Sequence, residues 1–289
     1  MAKLSKVCFQ LITFNSDEFL DEAISTVEKF GTVVATEGPV RWWAQRGFTQ
    51  STDKTLSILA KHKVRYVSGA WQEKDQMANA SIHLVPEKTR WLWVFDSDEL
   101  YHTEDIERVL GLLETEQYDA VAFKALSFFA GFENTMGGFE YNFPVHRIQR
   151  YYPGCQWATH RPPTINAPNG LPWREHKFLS EKDTEQLGIF LHHYSYCLPR
   201  QTKAKIKYYE SMGGTIPSYF QEVWLRWARG DAEERQRIEN IYDGVHNWIP
   251  SRRGASRTIP FQGKHPLIIE QSLPRLRERF DRELAEYGV

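Results

Sequence analysis

Ten residues, Trp91-Leu-Trp-Val-Phe-Asp96-Ser97-Asp98-Glu99-Leu100, constrain this chain more than any other stretch. A run of bulky apolar residues that breaks at once into acids reads as a β-strand buried on both faces, the kind found in parallel sheets covered by helices. Ligands of open α/β sheets bind beyond the C-terminal ends of strands, so acids there face a shared crevice. On an extended segment Asp96 and Asp98, two residues apart, project to one side. Such a pair suits a hard divalent cation, which takes oxygen ligands and often completes its shell with substrate phosphates. The plain structural alternative is that the acids solvate a strand end and favour the start of the next helix.

Upstream, strand and helix signals alternate. Residues 7–13, 32–36 and 64–67 read as strands. Asn15-Ser16-Asp17-Glu18 offers a helix start with Asn15 as N-cap and Glu18 three residues on, ahead of Leu20, Ala23, Ile24 and Val27 on one face. Ser51-Thr52-Asp53 caps a second helix, and residues 75–84 form a third. Downstream, Thr103 caps a helix over 106–113, and 119–129, 145–151, 156–160 and 189–196 read as strands. Residues 131–142, rich in Gly, Phe and Asn, read as a loop over the crevice, and 162–172 as irregular. From Gln201 onward the pattern is helical, over 203–212, 219–229, 232–241 and 273–287. The expectation is an α/β fold with a mostly parallel sheet flanked by helices over residues 1–200, and a helical C-terminal extension, 201–289, packed on it.

The formal net charge of −1 argues against a nucleic-acid binder, which needs a basic excess. No apolar run approaches the roughly 20 residues of a membrane span, and the N-terminus leads into a strand and not a signal peptide, so a cytoplasmic protein with at most peripheral contact at the inner membrane face is expected. Cys8, Cys155 and Cys197 are too widely spaced for a zinc pattern and odd in number, which fits reduced thiols.

Read in order, Thr13-x-Asn15, an acid ending the second strand, Ser51-Thr52-Asp53-x-Thr55, Asn79, Trp93-x-x-x-Asp96-x-Asp98-Glu99 and His193-Tyr194-x-Tyr196 resemble family 2 glycosyltransferases of the GT-A fold. The resemblance is to the bacterial branch that builds surface polysaccharide and lipopolysaccharide cores, and covers residues 1 to about 210. It implies a transferase that moves a sugar from a nucleotide diphosphate donor, a UDP- or GDP-sugar, to a hydroxyl of a glycan or lipid-linked acceptor, with inversion and with Mn²⁺ or Mg²⁺.

By the same resemblance Thr13, Asn15 and Glu37 form the wall for base and ribose, with Asn79 and Asp96 also at the nucleotide. Asp96, Asp98 and His193 are the implied metal ligands; adjacent strand residues face opposite ways, so only one of His192 and His193 can serve, and the matching Tyr194 and Tyr196 set the register that selects His193. Two departures stand out. Met77-Ala78-Asn79 lacks the family's Arg, for which Lys74, Arg41 or Arg46 are substitutes, and Thr159-His160-Arg161 has Arg161 where the branch has Glu. Glu175 is then the nearest acid to serve as general base, with a solvated loop acid as its plainer description.

Trp42, Trp43, Phe128, Phe129, Phe132 and Phe139 are candidates for an aromatic acceptor platform, against core packing. Arg252, Arg253 and Arg257 form a small basic cluster that suits a phosphorylated or lipid-linked acceptor, against simple solvation. A nucleotidyltransferase and a non-catalytic nucleotide-binding homologue are the alternative readings.

Overall fold

The computed structural model describes residues 6–160, 163–166, 170–213, 215–247 and 255–287. The chain divides into two compact units: residues 1–124 with 144–190, and residues 125–143 with 191–289.

In the first unit, β1 (Val7–Thr13), β2 (Thr32–Glu37), β3 (Arg65–Ser68) and β4 (Trp91–Asp96) are parallel, in the order β3-β2-β1-β4. β8 (Pro144–Arg150) then runs antiparallel to β4 and to the first residues of β6 (Ala120–Phe129). Helices cover the sheet, as the GT-A resemblance implies. The alternation of β1 explains the two layers. Phe9, fully buried, meets Trp93 and Phe95 on one face. Cys8, with Leu92 on β4, joins Ala78 of α3 (Lys74–Ala80), Trp157 and Ile165 on the other. Trp157 belongs to β9 (Gln156–His160), which pairs antiparallel with β10 (Pro163–Asn166), where an irregular stretch is expected from sequence. Burial pushes the Cys8 thiol up to about 12, an environment that leaves it inert.

α1 (Leu20–Val27) starts with Phe19 as N-cap, so Asn15 is not the cap that its spacing to Glu18 suggests. α2 (Thr55–Lys61) follows Asp53, and the third predicted helix breaks at Ser81 into α3 and a 3₁₀ turn, Ile82–Leu84. A two-residue strand, β5 (Glu99–Leu100), follows β4, and α4 (Thr103–Glu114) begins after His102, which takes the cap position assigned to Thr103.

In the second unit, residues 131–142 are not a bare loop: they hold β7 (Asn134–Met136) and a one-turn helix α5 (Phe139–Asn142). β7 pairs with the nearby end of β6 and with a strand at Thr258–Pro260, the latter too distant in sequence for local periodicity to reveal. The helical tail has its own core, in which Tyr219, Phe220, Trp224 and Trp227 pack against Phe129 and Met136. This shared apolar cluster is why residues 125–143 belong with the tail. The predicted helix over 219–229 is a π-helical stretch, Phe220–Leu225, followed by a turn of α-helix, Arg226–Arg229, and the last helix begins earlier than its pattern, at Leu267, with Pro274 inside it. Among the described residues, no helix is long and apolar enough to cross a membrane.

Candidate functional site

The parallel register sets Thr13 beside Glu37 and Ile12 beside Asp96, so the ends of β1, β2 and β4 present these residues along one edge. Each is anchored differently. Glu37 is fully buried, with one oxygen accepting from the Ser51 N–H at 2.5 Å and the other from the Ser68 hydroxyl at 2.6 Å. Gly38, at φ +134°, lets the chain turn immediately after it, since any side chain there would meet the Gly69 carbonyl oxygen at 1.9 Å. Thr13 is buried, and its hydroxyl has no partner among the described residues.

Asn15 sits in the left-handed region at φ 47°, and its side-chain oxygen accepts from the Thr52 N–H at 2.7 Å. Its own N–H donates to Ser51 Oγ, that of Ser16 to Thr55 Oγ1, and that of Asp17 to Asp53 Oδ2, at 2.8, 2.9 and 3.0 Å. The Ser-Thr-Asp-x-Thr motif is thus a clasp that holds the loop after β1. Asp53 also accepts from the Thr55 N–H at 2.9 Å and so caps α2. Asp53→Ala removes both acceptors and is expected to cost about 1–2 kcal/mol, the range for loss of a helix cap, measured by urea unfolding.

Asn79 spends both ends of its amide on the Trp157 backbone, accepting from its N–H at 2.7 Å and donating to its carbonyl at 2.9 Å. Its structural task is to fix β9 against α3.

The chain leaves the strand at Asp96, and Ser97 and Asp98 form a turn, so the argument that an extended segment puts both acids on one side does not apply to Asp98. Glu99 folds back: it accepts the Asp96 N–H at 3.2 Å. It also meets Arg147 of β8 in a two-pronged pair, with Nε to Oε2 at 2.6 Å. Arg147 reaches Asp96 Oδ2 at 3.4 Å as well. Burial alone would make Arg147 easier to deprotonate, but Glu99 and then Asp96 reverse this and hold the guanidinium charged. Glu99 is visible in the sequence as part of the acidic break, but Arg147 is not; its only local signal is a charged residue inside a strand. A narrow cleft borders this group, lined by Asp96, Arg147 and Thr159 among Ile12, Ala78, Val94, Phe95, Trp157 and Pro163.

Three carboxylates, Asp96, Asp98 and Glu99, thus gather at the end of β4, with Arg147 paired to Glu99 and Asp96. Carboxylate oxygens are the donors that a hard divalent cation takes. Among the described residues no group of three His, Cys, Asp or Glu side chains forms a cage for a metal ion.

His193 belongs to the second unit, where its Nδ1 lies 3.4 Å from Ser127 Oγ. The same unit holds Glu140, which accepts from Ser127 Oγ at 3.1 Å and pairs with His246 Nε2 at 3.3 Å. Burial would raise the Glu140 carboxyl, but His246, His193 and the Ser127 hydroxyl outweigh it and hold the pKa down to about 2. A depressed acid stabilises the fold above its unfolded value, near 4.5, and that contribution is lost as pH falls toward 2. Glu140→Gln is therefore expected to be less stable than the parent at pH 6, with the gap closing between about pH 4.5 and 2. Thermal melting across that range checks it.

Glu175 is an exposed acid, its side chain 54% accessible and 4.0 Å from Arg174. Phe128, Phe129 and Phe132 are buried in the second unit and form core, not a platform. Trp42 and Trp43, by contrast, are half-buried in the first unit, where Trp43 packs with Phe14 and Phe48 and Arg46 stacks on Trp42. Arg41 is paired with Glu73, and Arg257 hydrogen-bonds Asn240. Arg161, Arg252 and Arg253 lie outside the described residues.

No curated protein sequence matches the chain. Among solved structures, TarS 1-349 of S. aureus aligns at 14% identity and TM-score 0.35, over 50% of this chain and 47% of that one. The same protein in complex with UDP aligns at 13% and 0.38, over 82% and 71%. Glucosyl-3-phosphoglycerate synthase from Mycobacterium tuberculosis, in complex with Mn²⁺ and UDP-glucose, aligns at 15% and 0.31, over 43% and 44%. The chain thus spans about half the length of the first of these and less than half of the last. The family model for glycosyl transferase family 2 matches residues 49–165. That stretch, which holds the Ser51-Thr52-Asp53 clasp, Asp96, Asp98 and Arg147, is similar to glycosyl transferase family 2.

Proposed function

We propose that the chain transfers a sugar, with inversion, from a nucleoside diphosphate donor to a hydroxyl of a saccharide or lipid-linked acceptor, aided by Mn²⁺ or Mg²⁺ at Asp98. The observation that supports this best is the acidic turn after β4, at the strand edge shared with Thr13 and Glu37 and beside the cleft. Loss of a nucleoside diphosphate leaves negative charge that must be stabilised, and a divalent cation supplies that stabilisation when bound. The chain's own part is to orient. The Ser51–Thr55 clasp and the buried Glu37 hold the loop after β1 in place, and the turn holds Asp98 at the strand end. The half-buried rings of Trp42, Trp43 and Phe48 support a saccharide acceptor, because sugars present C–H faces that aromatic rings bury well.

Incubation with UDP-, GDP- and dTDP-sugars and Mn²⁺, in the presence of acceptor glycans, tests the reading. Release of a nucleoside diphosphate with the product anomer inverted is expected. No turnover and no binding with any donor and either cation would overturn it.

A further inference from the structure

We propose that residues 38–50 form the acceptor subsite and that Arg46 there selects a saccharide bearing an anion, either a carboxylate or a phosphate. The inference rests on the proposed transfer reaction and deepens it by naming the class of acceptor. The segment leaves the sheet at the end of β2 and returns to the same point, because the Glu37 carboxylate accepts from the N–H of Ser51, 14 residues on, at 2.5 Å. Its outgoing limb is tied to Trp71, whose carbonyl accepts the Arg41 N–H and whose own N–H donates to the Pro39 carbonyl, both at 3.0 Å. Compact loops with closed ends, packed by their own side chains, are frequently functional.

The packing of this loop is aromatic. Trp43 holds Phe14 at 5.9 Å and Phe48 at 5.5 Å, and Trp42 meets Trp43 edge-on at 4.5 Å. In an edge-on contact one ring keeps both faces clear of its partner, and the three loop rings are half-buried, so they suit the C–H faces of a sugar. The loop's charges are all positive: Arg41 and Arg46, with no acid between Gly38 and Gln50. Arg41 is turned onto Glu73, its Nε donating to Oε2 at 3.0 Å. Arg46 is exposed and, among the described residues, forms no ion pair. It lies over the Trp42 ring at 3.4 Å and spends one N–H of Nη1 on the Trp42 carbonyl at 3.1 Å. A short 3₁₀ turn, Ala44–Arg46, sets this geometry, and Gly47 at φ +83° closes it and returns Phe48 to Trp43. The stacked guanidinium is held in place beside the rings, and its remaining N–H groups match the paired oxygens of a carboxylate or phosphate.

The test follows the indole N–H resonances of Trp42 and Trp43 in the ¹⁵N-labelled full chain, assigned by their loss in Trp42→Phe and Trp43→Phe. The chain is titrated with glucuronate, glucose 6-phosphate, glucose and inorganic phosphate. At least one anionic sugar is expected to move both signals and to bind about tenfold or more tightly than glucose, as for a hydrogen bond to a charged group. The tighter of the two names the anion. Inorganic phosphate, which has no C–H face to stack, should bind about tenfold more weakly than that sugar. Arg46→Gln removes an exposed side chain, so folding is spared. It should bring the anionic sugars down to the level of glucose and leave glucose unchanged. Arg46→Lys, which keeps the charge and loses the planar fork, should recover part of the difference. A merely structural Arg46 would instead weaken glucose and the anionic sugars alike.

Glucose binding as tightly as both anionic sugars, or no saccharide moving either signal, would overturn this inference. If UDP moves the two signals and no saccharide does, the rings belong to the donor base and the inference falls in the same way. Calorimetry with UDP-, GDP- and dTDP-sugars and Mn²⁺ or Mg²⁺ separates the two claims. Donor binding with a silent loop leaves the proposed function standing, whereas a chain that binds no donor with either cation overturns both.

Discussion

Asp98→Asn is expected to abolish cation-dependent donor turnover, lowering it about 10²–10³-fold, the cost of removing one preorganised group that stabilises developing charge. The substitution is nearly isosteric and lies in a partly exposed turn, so folding should be spared. What changes is charge. The turn loses one carboxylate charge, and the amide presents a weaker oxygen donor to a hard cation. Donor affinity measured by calorimetry should fall with Mn²⁺ present and be little altered without it. That split separates loss of the ion from general damage to the cleft. Unchanged affinity in the presence of Mn²⁺ would remove Asp98 from the role given to it.

Trp157→Ala is expected to cause the largest loss of stability among cleft residues, about 3–5 kcal/mol, as for other buried Trp-to-Ala truncations. The ring is 4% accessible and packs with Cys8, Val34, Ala78, Leu92 and Ile165. Its Nε1–H donates to Gln10 Oε1 at 2.7 Å, and Gln10 in turn donates to the Ala78 carbonyl at 2.7 Å and to Ser81 Oγ at 2.9 Å. Truncation therefore opens a cavity under the cleft and strands a fully buried acceptor, so the two costs fall together. Trp157→Phe, which keeps most of the apolar contact and loses only the donor, should cost about 1–3 kcal/mol. Urea unfolding of both variants measures the difference. A loss under about 1 kcal/mol for Trp157→Ala would mean that β9 is not held to α3 as described.

What could be read from the sequence was what local pattern determines. The strand at Val7–Thr13 and the one at Gln156–His160 fall where their patterns place them, because hydrophobic alternation and turn residues fix both ends. The acids of the β4 turn were likewise visible, as a charge break after an apolar run. What escaped was set by partners far along the chain. Arg147 meets Glu99 across 48 residues, and β7 takes Ile259 as the strand partner of Thr135. Asn15 followed the spacing of a helix cap, yet its amide is drawn to Thr52, 37 residues away, and the helix starts later. Asn79, assigned to a nucleotide from its place in a motif, has both amide functions on a backbone 78 residues distant. Glu140 gave no signal because its partners, Ser127 and His246, lie on separate segments.

The most direct test of the account is a crystal of the full chain soaked with UDP and Mn²⁺ and measured at the manganese absorption edge. The account predicts one anomalous peak at coordination distance from the Asp98 carboxylate and from the diphosphate oxygens. A peak elsewhere, or nucleotide density away from the ends of β1, β2 and β4, would contradict it.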